Sequence, residues 1–223
     1  MKYDLVIFDL DGTLLDTVKD LGAAVNFALA KKGFSPHTDK QYMQMVGHGV
    51  RNLVTLALPE AFRIEPYIDD CLASFREYYS EHIAVYTKPY RGVHQLLKDL
   101  CAQGVLVAVA SNKFHEGTSR LMEIFFPDVP FALVKGHVEG APLKPDPAIV
   151  DSVLNELSSK REEVILREKV ALVGDSSSDL KTALNASVTP ISVTWGFRSR
   201  ESLEASGAQN IASTMKELRN LLK

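Results

Sequence analysis

The sequence predicts an α/β fold: a doubly wound, Rossmann-like parallel sheet that carries an inserted all-helical cap. Five short apolar runs have the length and composition of buried strands. Helical patterns lie between these runs, and this alternation builds a parallel sheet with helices on both faces. One long segment, residues 16–86, has helical periodicity and no convincing strand, so we expect it to form a separate helical unit.

The first predicted strand is Leu5–Phe8, a run of four apolar residues near the N-terminus. A run that is apolar at every position is typical of a strand buried on both faces. Four further strands are predicted later in the chain, at Val105–Ala110, Phe131–Val134, Val170–Val173 and Ile191–Val193. Apolar residues at helical spacing predict helices over Val93–Leu100 and Ile149–Leu157.

The helical segment sets the predicted domain boundaries. Apolar residues recur at helical spacing through its first part, and Gly33 follows as a helix stop. The chain is expected to hinge just after Leu15 and again at Thr87–Pro89, since proline disfavours a continuing helix. We therefore expect a core of residues 1–15 and 87–223, and a cap of residues 16–86.

Composition and charge narrow the class of protein. The chain of 223 residues is 46% hydrophobic, which suits a globular protein with a sizeable core. Its 25 basic and 28 acidic residues form no block of like charge, which argues against nucleic acid or a membrane surface as partner. Cys71 and Cys101 lack the spacing of zinc ligands and are expected to be reduced thiols. No apolar stretch has the length of a signal peptide or a membrane span, so a cytoplasmic location is predicted.

Asp9 and Asp11 follow the first strand and form the most informative motif of the chain. Residues two apart on an extended chain point to the same side, so both carboxylates can face one pocket while Gly12 allows a sharp turn. Ligands of parallel sheets bind at the carboxyl ends of the strands. Two anions this close repel each other unless a cation is present, so the pair predicts a cation site. The alternative is a helix-capping aspartate beside an ordinary Asp-Gly turn.

Three more polar clusters follow predicted strands, at the same edge of the sheet. They are Ser111-Asn112-Lys113, Lys144 in a proline-flanked loop, and the segment from Gly174-Asp175 to Asp179. A hydroxyl and free N–H groups at a helix start suit a phosphate, although Ser111 and Asn112 also suit simple helix caps. An exposed side chain is the ordinary interpretation of a lysine, but the loop of Lys144 lies on the pocket side. Asp179 also suits the first turn of a helix.

The charges of these clusters favour one reaction. Asp9, Asp11 and Asp175 carry three negative charges, and a phosphate ester brings about two more. A divalent ion and Lys144 would balance most of this charge, and carboxylate and water ligands are typical of Mg²⁺. A carboxylate can attack phosphorus in line to form an aspartyl-phosphate, while a second carboxylic acid protonates the leaving group and later activates water. The predicted substrate is a small phosphate ester, and the predicted cofactor is Mg²⁺.

Together these residues resemble the four motifs of the haloacid dehalogenase superfamily of phosphohydrolases. The motifs occur in the superfamily's order, as Asp9-x-Asp11-Gly12-Thr13, Ser111, Lys144 and Gly174-Asp175-x-x-x-Asp179. The resemblance spans residues 4–197 and implies a helical cap of the C1 type, inserted after the first motif.

The resemblance implies a role for each matched residue. Asp9 would be the nucleophile and a metal ligand, and Asp11 the general acid and base, with its backbone carbonyl on Mg²⁺. Lys144 would be a catalytic residue that holds phosphoryl oxygens. Asp175 would bind the metal directly, and Asp179 would support it through water or another ligand. The residues implied to bind the phosphate group are Gly12, Thr13, Ser111, Asn112 and Lys113.

Within the superfamily the chain is most similar to the phosphoglycolate phosphatases. This likeness rests on Ser111-Asn112-Lys113, Lys144-Pro145-Asp146-Pro147, Val46-Gly47-x-Gly49 and Thr194-Trp195-Gly196. Pyrophosphatases, nucleotide or sugar phosphatases and β-phosphoglucomutases stay open as alternatives, although Leu21 replaces the cap histidine of the mutases. A non-catalytic regulatory protein of the same fold is disfavoured because no motif aspartate is lost.

The segment Gly47-His48-Gly49-Val50-Arg51 supplies two candidates for binding the non-phosphate end of the substrate. His48 and Arg51 belong to the predicted cap, and the arginine suits a carboxylate. An exposed loop histidine and an exposed helix-start arginine are an equal alternative.

Overall fold

The computed structural model describes residues 1–223. Its strands are β1 Leu5–Phe8, β2 Leu15–Asp16, β3 Lys88–Pro89, β4 Leu106–Phe114, β5 Leu133–His137, β6 Val170–Gly174, β7 Thr189–Val193 and β8 Ile211–Ala212. Its α-helices are α1 Val18–Ala30, α2 Asp39–Met45, α3 Gly49–Ala57, α4 Glu65–His82, α5 Val93–Ala102, α6 His115–Phe125, α7 Ala148–Arg161, α8 Ser177–Asn185, α9 Arg200–Ala205 and α10 Met215–Leu222. Short 3₁₀ helices occupy Glu60–Phe62 and Arg167–Lys169.

Six strands form one parallel sheet in the order β5-β4-β1-β6-β7-β8. The central strand β1 is buried throughout, because its side chains enter hydrophobic clusters on both faces of the sheet. Val6 and Phe8 belong to one cluster, and Leu5 and Ile7 to the other. The predicted fold class, a doubly wound α/β sheet with an inserted helical cap, is confirmed.

In the sequence, the cap helices α1 to α4 come after β2 and before β3, and these two strands pair with each other as a short antiparallel ribbon. In this ribbon Leu15 of β2 pairs with Pro89 of β3. Asp20, near the start of α1, is buried and links the segment that enters the cap to the segment that leaves it. Its carboxylate accepts hydrogen bonds from the backbone N–H groups of Tyr86 and Thr87 and from the Thr87 hydroxyl. The predicted hinge points therefore coincide with this ribbon.

Strand β4 differs from its prediction, because it continues to Phe114 instead of ending at Ala110. Ser111, Asn112 and Lys113 are consequently buried strand residues, and none of them caps a helix. Their polar side chains can lie in an interior strand because each finds a partner in the site described below. The predicted strand Phe131–Val134 is also displaced, to Leu133–His137. The strands β2, β3 and β8 were not predicted, since each has only two residues.

Both cysteines are free thiols, as expected. Cys71 is buried in the cap and Cys101 is half-buried in the core. None of the helices combines the length and the apolar character that a membrane crossing requires.

Candidate active site

The polar residues predicted from separate strand ends meet in one cleft between core and cap. Asp9 follows β1, Ser111 lies near the end of β4, Asp175 follows β6, and Lys144 lies between β5 and α7. All four line one cleft. The topology brings them together, because the carboxyl ends of parallel strands lie at one edge of the sheet.

Three buried aspartates form a carboxylate cluster at the base of this cleft. Asp9, Asp175 and Asp179 are 6%, 2% and 3% exposed, and one carboxylate oxygen of each lies within 4.8 Å of the other two. Asp179 occupies the first turn of α8, where its carboxylate also accepts hydrogen bonds from the N–H and hydroxyl of Ser176. The helix start thus fixes the position of this aspartate.

Lys144 is the cation that contacts this cluster. Its ammonium Nζ lies 2.6 Å from Asp9 Oδ1 and 2.5 Å from Asp179 Oδ1, and it also donates to the Ala110 carbonyl at 3.0 Å. Burial alone would lower the pKa of Lys144, but Asp179 and Asp9 raise it above its usual value. This lysine therefore stays charged. Asp9 Oδ2 accepts no hydrogen bond from the protein and faces the cleft.

The cluster has a charge imbalance that a divalent cation would correct. Three buried carboxylates lie near one ammonium group, which pairs with two of them, and the charge of Arg198 opposes the rise of the Asp175 pKa only as the smallest of its causes. Burial raises the pKa of Asp9 to about 7, against the opposing effect of Lys144. Burial, with the neighbouring charges of Asp179 and Asp9, raises the pKa of Asp175 well above its usual value. An all-oxygen donor set with surplus negative charge fits a hard divalent ion. The Asp11 backbone carbonyl accepts no hydrogen bond within the protein and can join this set.

Asp175 is held by close backbone contacts on two sides. Its Oδ2 atom accepts a hydrogen bond of 2.6 Å from the Phe197 N–H. Gly12 has φ of 87°, and a Cβ atom there would lie 2.4 Å from the same oxygen. Gly12 is therefore required for the approach of the first motif to the carboxylate, and not only for the turn.

Asp11 stands apart from the carboxylate cluster. Its side chain accepts hydrogen bonds from the Thr17 hydroxyl at 2.6 Å and from Lys113 Nζ at 3.1 Å. The Lys113 ammonium also lies against the ring of Tyr79, a buried residue of α4. Burial opposes the charge of Lys113, but Asp11 and Tyr79 raise the pKa of the lysine above its usual value. Lys113, which was expected to bind phosphate, is thus engaged with the candidate acid and base.

Ser111 and Asn112 differ in what they offer to a ligand. Ser111 Oγ lines the cleft and accepts a hydrogen bond from the Lys113 N–H, which leaves its hydroxyl proton for a ligand. The Asn112 side chain is already occupied. It bonds both backbone groups of Lys144 and donates to the Gly47 carbonyl of the cap at 2.8 Å. Asn112 therefore orients the lysine loop and contacts the cap.

Four of the predicted phosphate or substrate residues do not line the cleft: Gly12, Thr13, His48 and Arg51. Arg51 forms ion pairs with Glu65 and Asp69 of α4, and its side chain is 52% exposed. Two acidic residues on the neighbouring helix hold the guanidinium on the cap surface. The exposed alternative for His48 and Arg51 is the one that the structure supports.

Arg198 is a cleft residue that the sequence analysis did not single out. It lies just after Thr194-Trp195-Gly196, a segment that resembles the phosphoglycolate phosphatases. The available signal was its position just beyond β7, at the same edge of the sheet as the other clusters.

This fold and site are typical of one class of hydrolases. In this class the active site lies at the carboxyl ends of the strands of an α/β core and is covered by an inserted cap. Residues 6–193 match the family model described as "Haloacid dehalogenase-like hydrolase", and the chain belongs to this family.

Several phosphoglycolate phosphatases are similar to the chain over most of its length. That of Aquifex aeolicus is 32% identical over 193 residues, which are 86% of this chain and 85% of that protein. Phosphoglycolate phosphatase 1 of Pseudomonas aeruginosa is 34% identical over 197 residues, which are 86% of this chain and 70% of that protein. A solved structure from Lactobacillus delbrueckii subsp. bulgaricus, provisionally assigned to the same activity, has a TM-score of 0.91 and 33% identity and covers 100% and 99% of the two chains. The predicted superfamily and enzyme class, a phosphatase resembling phosphoglycolate phosphatases, are confirmed.

Proposed function

We propose that this protein is a Mg²⁺-dependent phosphatase that hydrolyses small phosphomonoesters through an aspartyl-phosphate on Asp9. The observation that carries the proposal is the environment of Asp9. One of its oxygens is held by Lys144, and the other faces the cleft without a protein partner. A carboxylate held in this way is oriented for attack on a phosphoryl group.

The reaction divides between two aspartates. In the first step Asp9 forms a bond to phosphorus, the ester P–O bond breaks, and protonated Asp11 gives its proton to the leaving oxygen. In the second step Asp11 takes a proton from water, which attacks phosphorus and releases inorganic phosphate and the free Asp9 carboxylate. Thr17 and Lys113 hold the Asp11 side chain, which supports its role in proton transfer.

The remaining core residues would bind the phosphoryl group and a metal ion. The Ser111 hydroxyl lines the cleft beside Asp9 and keeps its proton for a phosphoryl oxygen, and the Lys144 ammonium supplies positive charge beside it. The residues that would hold Mg²⁺ are Asp9, Asp175, Asp179 and the Asp11 carbonyl. The ion would supply positive charge that offsets the carboxylates and the developing charge on the phosphoryl oxygens.

The cap side of the cleft favours a small substrate with a negatively charged end. The N-terminus of α3 reaches the cleft at Gly49 and Val50, and the His48 side chain makes no capping hydrogen bond there. Free N–H groups at a helix start suit an anion such as a carboxylate. Together with the similarity to phosphoglycolate phosphatases, this feature supports phosphoglycolate as the substrate.

A substrate panel tests the proposal. The purified protein would be assayed with phosphoglycolate, pyrophosphate, a nucleoside monophosphate, a sugar phosphate and an aryl phosphate, each with Mg²⁺. We expect the highest kcat/KM for phosphoglycolate, loss of turnover in excess chelator, and recovery when Mg²⁺ is restored. Calcium should inhibit, because its looser coordination permits a bidentate carboxylate that cannot attack in line.

An Asp9→Asn preparation made in parallel controls for a contaminating phosphatase. Full activity in excess chelator would contradict the metal requirement. A clear preference for pyrophosphate, a nucleotide or a sugar phosphate would be consistent with the proposed reaction but would contradict phosphoglycolate as the substrate.

A further inference from the structure

We propose that Arg198 is a latch between core and cap: it holds the end of α2 and the following cap loop over the cleft. Here the cap loop means residues Val46–His48, between α2 and α3. Arg198 belongs to the core, and both of its terminal nitrogens donate hydrogen bonds to backbone carbonyls of the cap. Its consequence for catalysis rests on the proposed function, whereas the latch itself does not.

The physical basis of the latch is the C-terminal end of α2, where the last backbone carbonyls lack hydrogen-bond donors within the helix. The last carbonyls of a helix have no partner within the helix, and a cation there is favourable to the helix dipole. Arg198 Nη1 donates to the Met43 carbonyl, and Nη2 approaches the Gln44 carbonyl at 3.4 Å. Nη2 also donates to the Val46 carbonyl at 2.8 Å. A residue from the core therefore completes the end of a cap helix.

The segment that carries Arg198 is itself fixed to the site. The Trp195 indole N–H donates to the Thr13 carbonyl at 3.1 Å, and the Phe197 N–H donates to Asp175. A Cβ atom on Gly196 would lie 2.2 Å from the Gly12 carbonyl oxygen, so this segment packs closely against the first motif. The latch thus sets the position of the cap relative to the carboxylate cluster.

A second core residue, on strand β4, also forms a hydrogen bond with the cap loop. Asn112, on β4, donates to the Gly47 carbonyl, the residue after the last carbonyl that Arg198 binds. Val46, Gly47, Gly49 and Val50 all line the cleft. Release of this loop would open the cleft on its cap side, so we assign Arg198 as a positioning residue for cap closure.

Hydrogen exchange of the protein without metal or substrate tests the latch directly. Arg198→Ala removes every donor, whereas Arg198→Lys keeps the charge but has one terminal nitrogen in place of the two that bind separate carbonyls. In the alanine variant we expect the hydrogen-bonded amides at the end of α2, residues 43–46, to exchange about tenfold to a hundredfold faster, because the carbonyls of this turn lose their charged hydrogen bonds. The lysine variant should be intermediate.

Arg200→Ala is the matched control. Arg200 is an exposed arginine two residues away, and its bonds go to Glu204 and Ser213 within the core. Exchange in this variant should equal that of the wild type. In the kinetic assay, Arg198→Ala should raise KM for phosphoglycolate more than it lowers kcat, and Arg198→Lys should restore part of the loss.

The two proposals fail separately. Unchanged exchange at residues 43–46 in Arg198→Ala would overturn the latch, and so would equal acceleration in Arg200→Ala, because that result indicates general loosening. Absence of phosphate ester turnover in the wild type, with faster exchange confined to the Arg198 variants, would overturn the proposed function and support the latch.

Discussion

The Lys113 ammonium lies 3.0 Å from the carboxylate of Asp11, and both side chains are largely shielded from water. This ion pair links the end of β4 to the first motif. It also extends to the cap, since Lys113 contacts the Tyr79 ring on α4. The lysine therefore has the contacts of a residue that positions Asp11, in contrast to the phosphate-binding role expected from its motif.

Lys113→Met should consequently affect kcat more than KM. Without the ammonium, Asp11 loses a partner that fixes its orientation, and misplacement of a catalytic group by about 1 Å can cost on the order of 100-fold in rate. We expect kcat to fall roughly 10- to 100-fold, with KM for the phosphate ester within about threefold of the wild type. Steady-state kinetics measure both. A large rise in KM at unchanged kcat would instead indicate that Lys113 binds the phosphate group of the substrate.

The charge imbalance of the carboxylate cluster should be visible in the thermal stability. Asp175→Asn removes one buried negative charge and keeps an oxygen for the Phe197 N–H. We expect the metal-free variant to melt about 2–4 °C higher than the metal-free wild type, the shift for roughly 1 kcal/mol in a chain of this size. Mg²⁺ should raise the Tm of the wild type and have little effect on the variant. A lower Tm for the metal-free variant, together with an intact Mg²⁺ response, would contradict this account of the cluster.

Asp20→Asn should weaken the junction between cap and core. The buried carboxylate accepts hydrogen bonds from Tyr86 and Thr87, and an amide would present N–H groups to some of these donors. We expect the free energy of unfolding to fall by about 2 kcal/mol, measured by urea denaturation. Asp39→Asn, at an exposed position on α2, is the control and should change stability by less than about 0.5 kcal/mol. Equal effects of the two substitutions would contradict the role of Asp20 in stabilising the junction between cap and core.

Arg51→Ala should leave catalysis intact. The guanidinium pairs with Glu65 and Asp69 on the cap surface and does not line the cleft. We expect kcat/KM for phosphoglycolate to stay within about twofold of the wild type, and the free energy of unfolding to change little, because exposed ion pairs contribute little to stability. A loss of tenfold or more on phosphoglycolate, with an uncharged aryl phosphate unaffected, would show that Arg51 reaches the substrate after all.

The strands and the central chemistry were predictable because they depend on local features and simple topology. A run apolar at every position, such as Leu5–Phe8, has few alternatives to a buried strand. Once strands alternate with helices, their carboxyl ends share one edge of the sheet, so Asp9, Lys144 and Asp175 were expected to meet.

The remaining site contacts could not be predicted, because they depend on distant neighbours. Arg51 is exposed because of acidic residues on another cap helix, 14 and 18 positions along the chain. Lys113 reaches Asp11 because β4 continues past its apolar run. Arg198 reaches carbonyls of the cap about 150 residues earlier in the chain. Neither periodicity nor motif spacing contains this information.

The most direct test of the central claim is a search for phosphate bound to Asp9 during turnover. Enzyme in excess would be mixed with phosphoglycolate carrying a labelled phosphorus, quenched in acid within one turnover, and digested for peptide analysis. We expect label on the peptide that contains Asp9, and none on the same peptide of Asp9→Asn. Release of labelled phosphate in a single turnover, with no protein-bound label at any quench time, or label on the Asp9→Asn peptide, would contradict an aspartyl-phosphate on Asp9.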